Sequence, residues 1–164
     1  PTGADVPRRD TALPSDAADE KSVLTGFLGH LRGAVAAKAL GVPDAAAREP
    51  GVPSGTSLLG LVAHLTHVER HYFLGEAVRD WPATFRPRAE DTAEDVVAAY
   101  REATVRADAV LDTWSDLDRA APVPAGRRSA PSRRWLLVHM IEETGRHAGH
   151  ADILRERIDG RTGR

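Results

Sequence analysis

The chain has 164 residues, 41% apolar and 28% charged, with a formal charge of -2; this suits one domain with a sizeable core and gives no bulk electrostatic case for nucleic acid or an anionic membrane. It holds no cysteine, which excludes disulfides, thiolate metal sites and a cysteine nucleophile. No apolar run reaches the ~18 residues a membrane span needs, and the opening PTGADVPRRD lacks the apolar centre of a secretion signal, so a cytoplasmic location is expected.

Residues 1–15, rich in Pro, Gly and charge, read as a flexible arm, with a single domain over 16–164. A first helix is expected from about Asp16 to Leu40, through Val23, Leu24, Phe27, Leu28, Leu31 and Val35, ended by Gly41 and Pro43. The connector VPDAAAREPGVPSG has room for one short helical turn. A second helix starts after Thr56 or Ser57 as N-cap, carries Leu58, Leu61, Val62, Leu65, Val68, Tyr72 and Phe73, and stops before Pro82. FRPRAEDT is a loop, and Thr92 with Asp95 resembles a capping box. A third helix follows to about Trp114 through Val96, Val97, Tyr100, Val105 and Leu111. After a long Pro-rich connection, Ser132 caps a fourth helix that ends before Gly160. There is no alternating strand pattern of useful length and no internal repeat. The chain therefore reads as all-α, a four-helix bundle whose connections are long enough for crossovers.

The fourth helix places polar groups where apolar ones belong. Leu136, Met140, Leu154 and Ile158 define its buried stripe, and Glu143 and His147 fall inside it, one turn apart. His150 lies near the edge and His139 borders the stripe one turn before Glu143. A carboxylate buried alone costs many kcal/mol, so it needs a partner. A divalent cation is one solution, since carboxylate and imidazole both ligate first-row metals. Taken alone, a Glu–His pair four apart is equally a hydrogen-bonded pair. The second helix adds His64, His67 and His71 within LVAHLTHVERHYF. His64 flanks the apolar stripe and is the choice for third ligand, completing a His/Glu/His set that leaves positions open for water or substrate. His67 points away from the stripe, which favours a solvated residue, and His71 follows His64 by seven residues. Glu69 projects into the middle of the stripe. It is expected either to bond a ligand His or an Arg, or to turn towards solvent.

SGTSLLGLVAHLTHVERHYF and RWLLVHMIEETGRHAGHADILRERIDG together resemble the DinB-like four-helix metalloproteins, in particular the actinobacterial mini-circle protein branch, over about residues 18–160. The resemblance implies a bundle with a crossover, often a homodimer, and a divalent metal on His64, Glu143 and His147. Glu143 resembles the maleylpyruvate isomerase version of the motif, and His150 stands where Gln is frequent. Zinc is the first expectation for the ion, nickel or iron the alternatives. The superfamily includes thiol-dependent isomerases and transferases. That implies a small-molecule substrate and a low-molecular-weight thiol, with Arg146 or Arg155 available to a carboxylate. Two other readings stand beside a thiol transferase. One is a metal-assisted hydrolase using Glu69 or His71 as base. The other is a non-enzymatic, metal-stabilised dimeric protein with a stress-related role, which a fourth ligand from His150 or His67 would support. Nucleic-acid binding is not expected, because GRRSAPSRR is one short basic loop with no aromatic platform. Trp81, Trp114 and Trp135 read as packing residues.

Overall fold

A computed structural model describes residues 12–16, 18–122 and 129–162. Of the arm expected over residues 1–15, residues 1–11 lie outside the described residues, as does the start of GRRSAPSRR. The helices are α1 (Glu20–Ala39), α2 (Asp44–Arg48), α3 (Leu58–Leu74), α4 (Ala93–Asp112) and α5 (Arg133–Asp159), with a 3₁₀ helix at Pro82–Phe85. Among the described residues the only β feature is a single bridge between Ala120 and Ser132. The protein is all-α.

Each long helix begins at a residue whose side chain satisfies an open backbone donor. Asp19, Ser57, Thr92 and Ser132 all accept an N–H from the first turn. At Thr92 the bond is reciprocated, with Asp95 accepting from the Thr92 N–H at 3.0 Å, so Asp completes the capping box in place of Glu. α3 and α5 end on Gly75 and Gly160, at φ of 71° and 74°, the left-handed turn that glycine adopts without penalty. Gly75 stops α3 well short of Pro82, the outer limit that the sequence sets.

α1 lies along α5, and α3 along α4. The consecutive helices α4 and α5 make almost no contact, so the two lie across the bundle from each other and are not a hairpin pair. The shared core takes Leu28 and Val35 from α1, Leu61 and Leu65 from α3, Val97 and Tyr100 from α4, and Leu136 and Met140 from α5, all buried. Truncating one such Leu to Ala costs about 2–5 kcal/mol. Three expected core positions, Phe27, Val105 and Val23, are not in it. Val105 is 68% exposed, because α4 turns Ala103 and Ala107 inwards and a residue two places from each points to the far side. Val23 is also exposed, near the start of α1.

Candidate metal centre

His64 stands in the middle of α3, and Glu143 and His147 sit one turn apart on α5; all three side chains are buried. Each offers one ligand atom, and these atoms lie within 4.8 Å of one another. His64 Nε2 is 3.4 Å from Glu143 Oε1, and His147 Nε2 is 3.0 Å from the same oxygen. The two imidazole rings meet edge-on, with centroids 5.1 Å apart.

The 3₁₀ helix Pro82–Phe85 fixes the His64 ring. Phe85 stacks flat on it at 3.9 Å, and Trp81 approaches its edge at 5.8 Å. Thr84 is buried, with its Oγ1 2.7 Å from His64 Nδ1. The Thr84 hydroxyl donates its own hydrogen to the Trp81 carbonyl at 2.6 Å. Its oxygen can therefore only accept from the ring, so His64 carries its proton on Nδ1 and turns the Nε2 lone pair towards Glu143. Gly60, one turn before His64, makes this approach possible. A β-carbon there would stand 2.5 Å from the Phe85 carbonyl oxygen, closer than packed atoms come.

A lone pair facing a carboxylate oxygen at 3.4 Å is acceptor against acceptor, and a cation between them removes the conflict. Ligands ~2.0–2.1 Å from a tetrahedral ion lie roughly 3.4 Å apart, close to the separations seen here. His147 is set up differently. Its Nε2 faces the acceptor-only carboxylate and its Nδ1 is buried without a partner. The hydrogen bond from His147 holds the Glu143 carboxyl well below the usual carboxylate range. Arg146 adds a close bond to Glu143 Oε2. The donor set therefore fits a divalent first-row cation. A cavity of about 390 Å³ opens beside it, walled by Val68, Tyr72, Trp81, Phe85, His139 and Arg146.

The remaining candidates lie elsewhere. Glu69 is completely buried and makes a bidentate pair with Arg32 of α1, at 2.7 and 2.6 Å. Arg32 also reaches Asp108 of α4 at 2.6 Å. Of the alternatives for Glu69, the arginine partner is the one found, and it ties three helices together. His67 is exposed on α3, outside the site. His71 Nδ1 bonds the Glu76 carbonyl at 2.9 Å, and its ring meets Trp81 edge-on. His150 is exposed, its ring 5.6 Å from that of His147. Arg155 is buried and spent on the Lys38 and Leu40 carbonyls and on Asp159, so only Arg146 faces the cavity. Trp114 is core and Trp135 is exposed, but Trp81 is a wall of the site. Sequence reasoning missed Trp81, Thr84 and Phe85. The available signal was local: Asp80 accepts from the Ala83 N–H ahead of a turn begun by Pro82.

A family model described as Mycothiol-S-transferase matches residues 23–160. The chain belongs to that family. It is a DinB-like family, in line with the resemblance carried by the motifs of α3 and α5. No curated protein matches the chain. The bundle is similar to the crystal structure of a "conserved protein of locus" from Enterococcus faecalis, at 13% identity and a TM-score of 0.59, over 88% of this chain and 99% of that one. At that identity the likeness is one of fold.

Proposed function

We propose that the protein is a divalent-metal-dependent thiol S-transferase, with His64, Glu143 and His147 as ligands and zinc as the first candidate ion. The observation that carries this reading is a buried His/Glu/His set open on one side to a cavity, in a member of a mycothiol S-transferase family. A cation bound there would supply the acidity that turns a thiol into a thiolate near neutral pH. In the transfer the thiol gives up its proton to water, a carbon–sulfur bond forms to an electrophilic small molecule, and the leaving group departs with the electron pair of the broken bond. The residues of the chain provide the setting. Thr84 and Phe85 hold His64, while Val68, Tyr72 and Trp81 keep one side of the cavity apolar. A second recess of about 580 Å³ shares Trp81 and Phe85 and adds Ser54, Thr56 and Arg86, polar groups suited to the body of a hydroxylated thiol. The same reading has the protein acting in the cytoplasm as a homodimer, with Trp135, Val138 and Ile153 exposed on α5 for a second copy.

Two observations weigh against the alternatives. Hydrolysis relied on Glu69 or His71 as base, and both are engaged away from the cavity. A fourth ligand from His150 or His67 would favour a closed structural site, and both are exposed.

The test is a panel of electrophiles offered with and without low-molecular-weight thiols. Turnover should require an added thiol, stop with chelator, and return with zinc. Turnover of activated esters without any thiol would point instead to hydrolysis.

A further inference from the structure

We infer that Thr84 is a positioning residue that locks His64 in the Nδ1–H tautomer before any ligand arrives, so that the Nε2 lone pair is already presented to a cation. This rests on the metal reading above and adds to it a residue outside the ligand set. The argument is one of donor accounting. A hydroxyl has one hydrogen, and that of Thr84 lies on the Trp81 carbonyl at 2.6 Å. What remains towards His64 Nδ1, at 2.7 Å, is an acceptor. Both side chains are buried, so giving up the bond between them would leave a polar atom poorly satisfied. Phe85, stacked at 3.9 Å and 9°, prevents the ring from flipping to exchange its nitrogens.

His147 makes the contrast. Its Nδ1 is buried with no partner, and its Nε2 faces Glu143 at 3.0 Å. A carboxylate only accepts, so in this arrangement the hydrogen of His147 sits on Nε2 and must leave that atom for it to ligate. His64 is the preset ligand, and His147 is the one that adjusts. Groups that hold a ligand imidazole by its second nitrogen typically change metal affinity by about 10–100-fold when removed, so the lock has a measurable consequence.

The experiment uses the full chain labelled with ¹⁵N-histidine, metal-stripped, at about pH 9, above the ordinary imidazole range. Wild type and Thr84→Ser should both show His64 as the Nδ1–H tautomer. Thr84→Val, which keeps the shape and loses the acceptor, should show a mixture or the other tautomer. Zinc affinity, read by chelator competition, should then fall about 10-fold or more in Thr84→Val and stay near wild type in Thr84→Ser. The inference is overturned if Thr84→Val keeps the wild-type tautomer and affinity. It is also overturned if Thr84→Ser loses affinity as badly as Thr84→Val, since Thr84 would then be a packing residue only. Failure of the wild type to bind zinc at all overturns the metal reading, and with it the purpose of the lock. That case is distinguishable, because the tautomer is read with no metal present.

Discussion

At the scale of single residues, the polar groups inside the bundle divide into a site and a clamp. Glu69 and Glu143 both read from the sequence as carboxylates on a buried face, and both are buried. Spacing within one helix brought out Glu143 and His147, because positions four apart stack. The partner of Glu69 was not legible, because Arg32 lies 37 residues away on another helix and most helical arginines are simply solvated. The clamp has a clear energetic signature. Removing one member of a buried ion pair strands the other, at about 3–5 kcal/mol. Glu69→Ala should therefore destabilise the protein by that order in urea unfolding, with zinc affinity little changed in whatever fraction stays folded. A loss below about 1 kcal/mol, the worth of a surface pair, would show that Arg32 finds water instead. Glu143 makes a prediction about pH. Its folded carboxyl is held below its ordinary value by His147, with the Arg146 charge adding to it, so the unfolded chain binds the proton more readily. The stabilisation is complete above the unfolded value of about 4.5 and drains away as the pH falls from there towards the folded value. In metal-free protein, unfolding series from about pH 6 to about pH 3 should fall more steeply for wild type than for Glu143→Gln. Parallel curves would contradict this account of the carboxyl.

The helices show what a sequence discloses locally and what it withholds. Ser57, Thr92, Ser132 and Gly160 were all recognisable as helix ends, because a cap is an interaction across three or four residues. Pro82 sets only an outer limit for α3, and Gly75 is the stop inside it. The difference matters: the residues between Gly75 and the FRPRAEDT loop include Trp81–Thr84, and with Phe85 these form the element that grips His64. Nothing in the sequence shows that the 3₁₀ helix folds back on α3, since that depends on Gly60 leaving room for the Phe85 carbonyl. Gly60→Ala supplies the missing test. Overpacking of a close contact costs about 1–3 kcal/mol, more than the helix propensity gained from Ala, ~1 kcal/mol. The variant should melt below wild type and bind zinc more weakly, because the backbone carrying Thr84 and Phe85 must move. A variant that melts higher, with unchanged zinc affinity, would mean that the 3₁₀ helix does not hold the site.

For the molecule as a whole, the all-α class was readable from periodicity and caps, and the family resemblance from the motifs of α3 and α5. The pairing of α1 with α5 and α3 with α4 was not, because helices of similar amphipathic pattern can be arranged round a core in several orders. The crossover has a functional result. It brings α5 beside α3, so that His64 and Glu143, 79 residues apart in the chain, meet. A cation held there would cross-link the first and second halves of the protein and stabilise only the folded state. At about 100 times its dissociation constant, the gain is about 2.7 kcal/mol. For a chain of this size that means a melting temperature higher by several degrees. The most direct measurement is elemental analysis of wild type, His64→Ala and His147→Ala after equilibration with zinc and removal of the excess. The account predicts about one zinc per wild-type chain, as expected for a single His/Glu/His centre, and little in either variant. Equal zinc in all three proteins, or none in any, would contradict it.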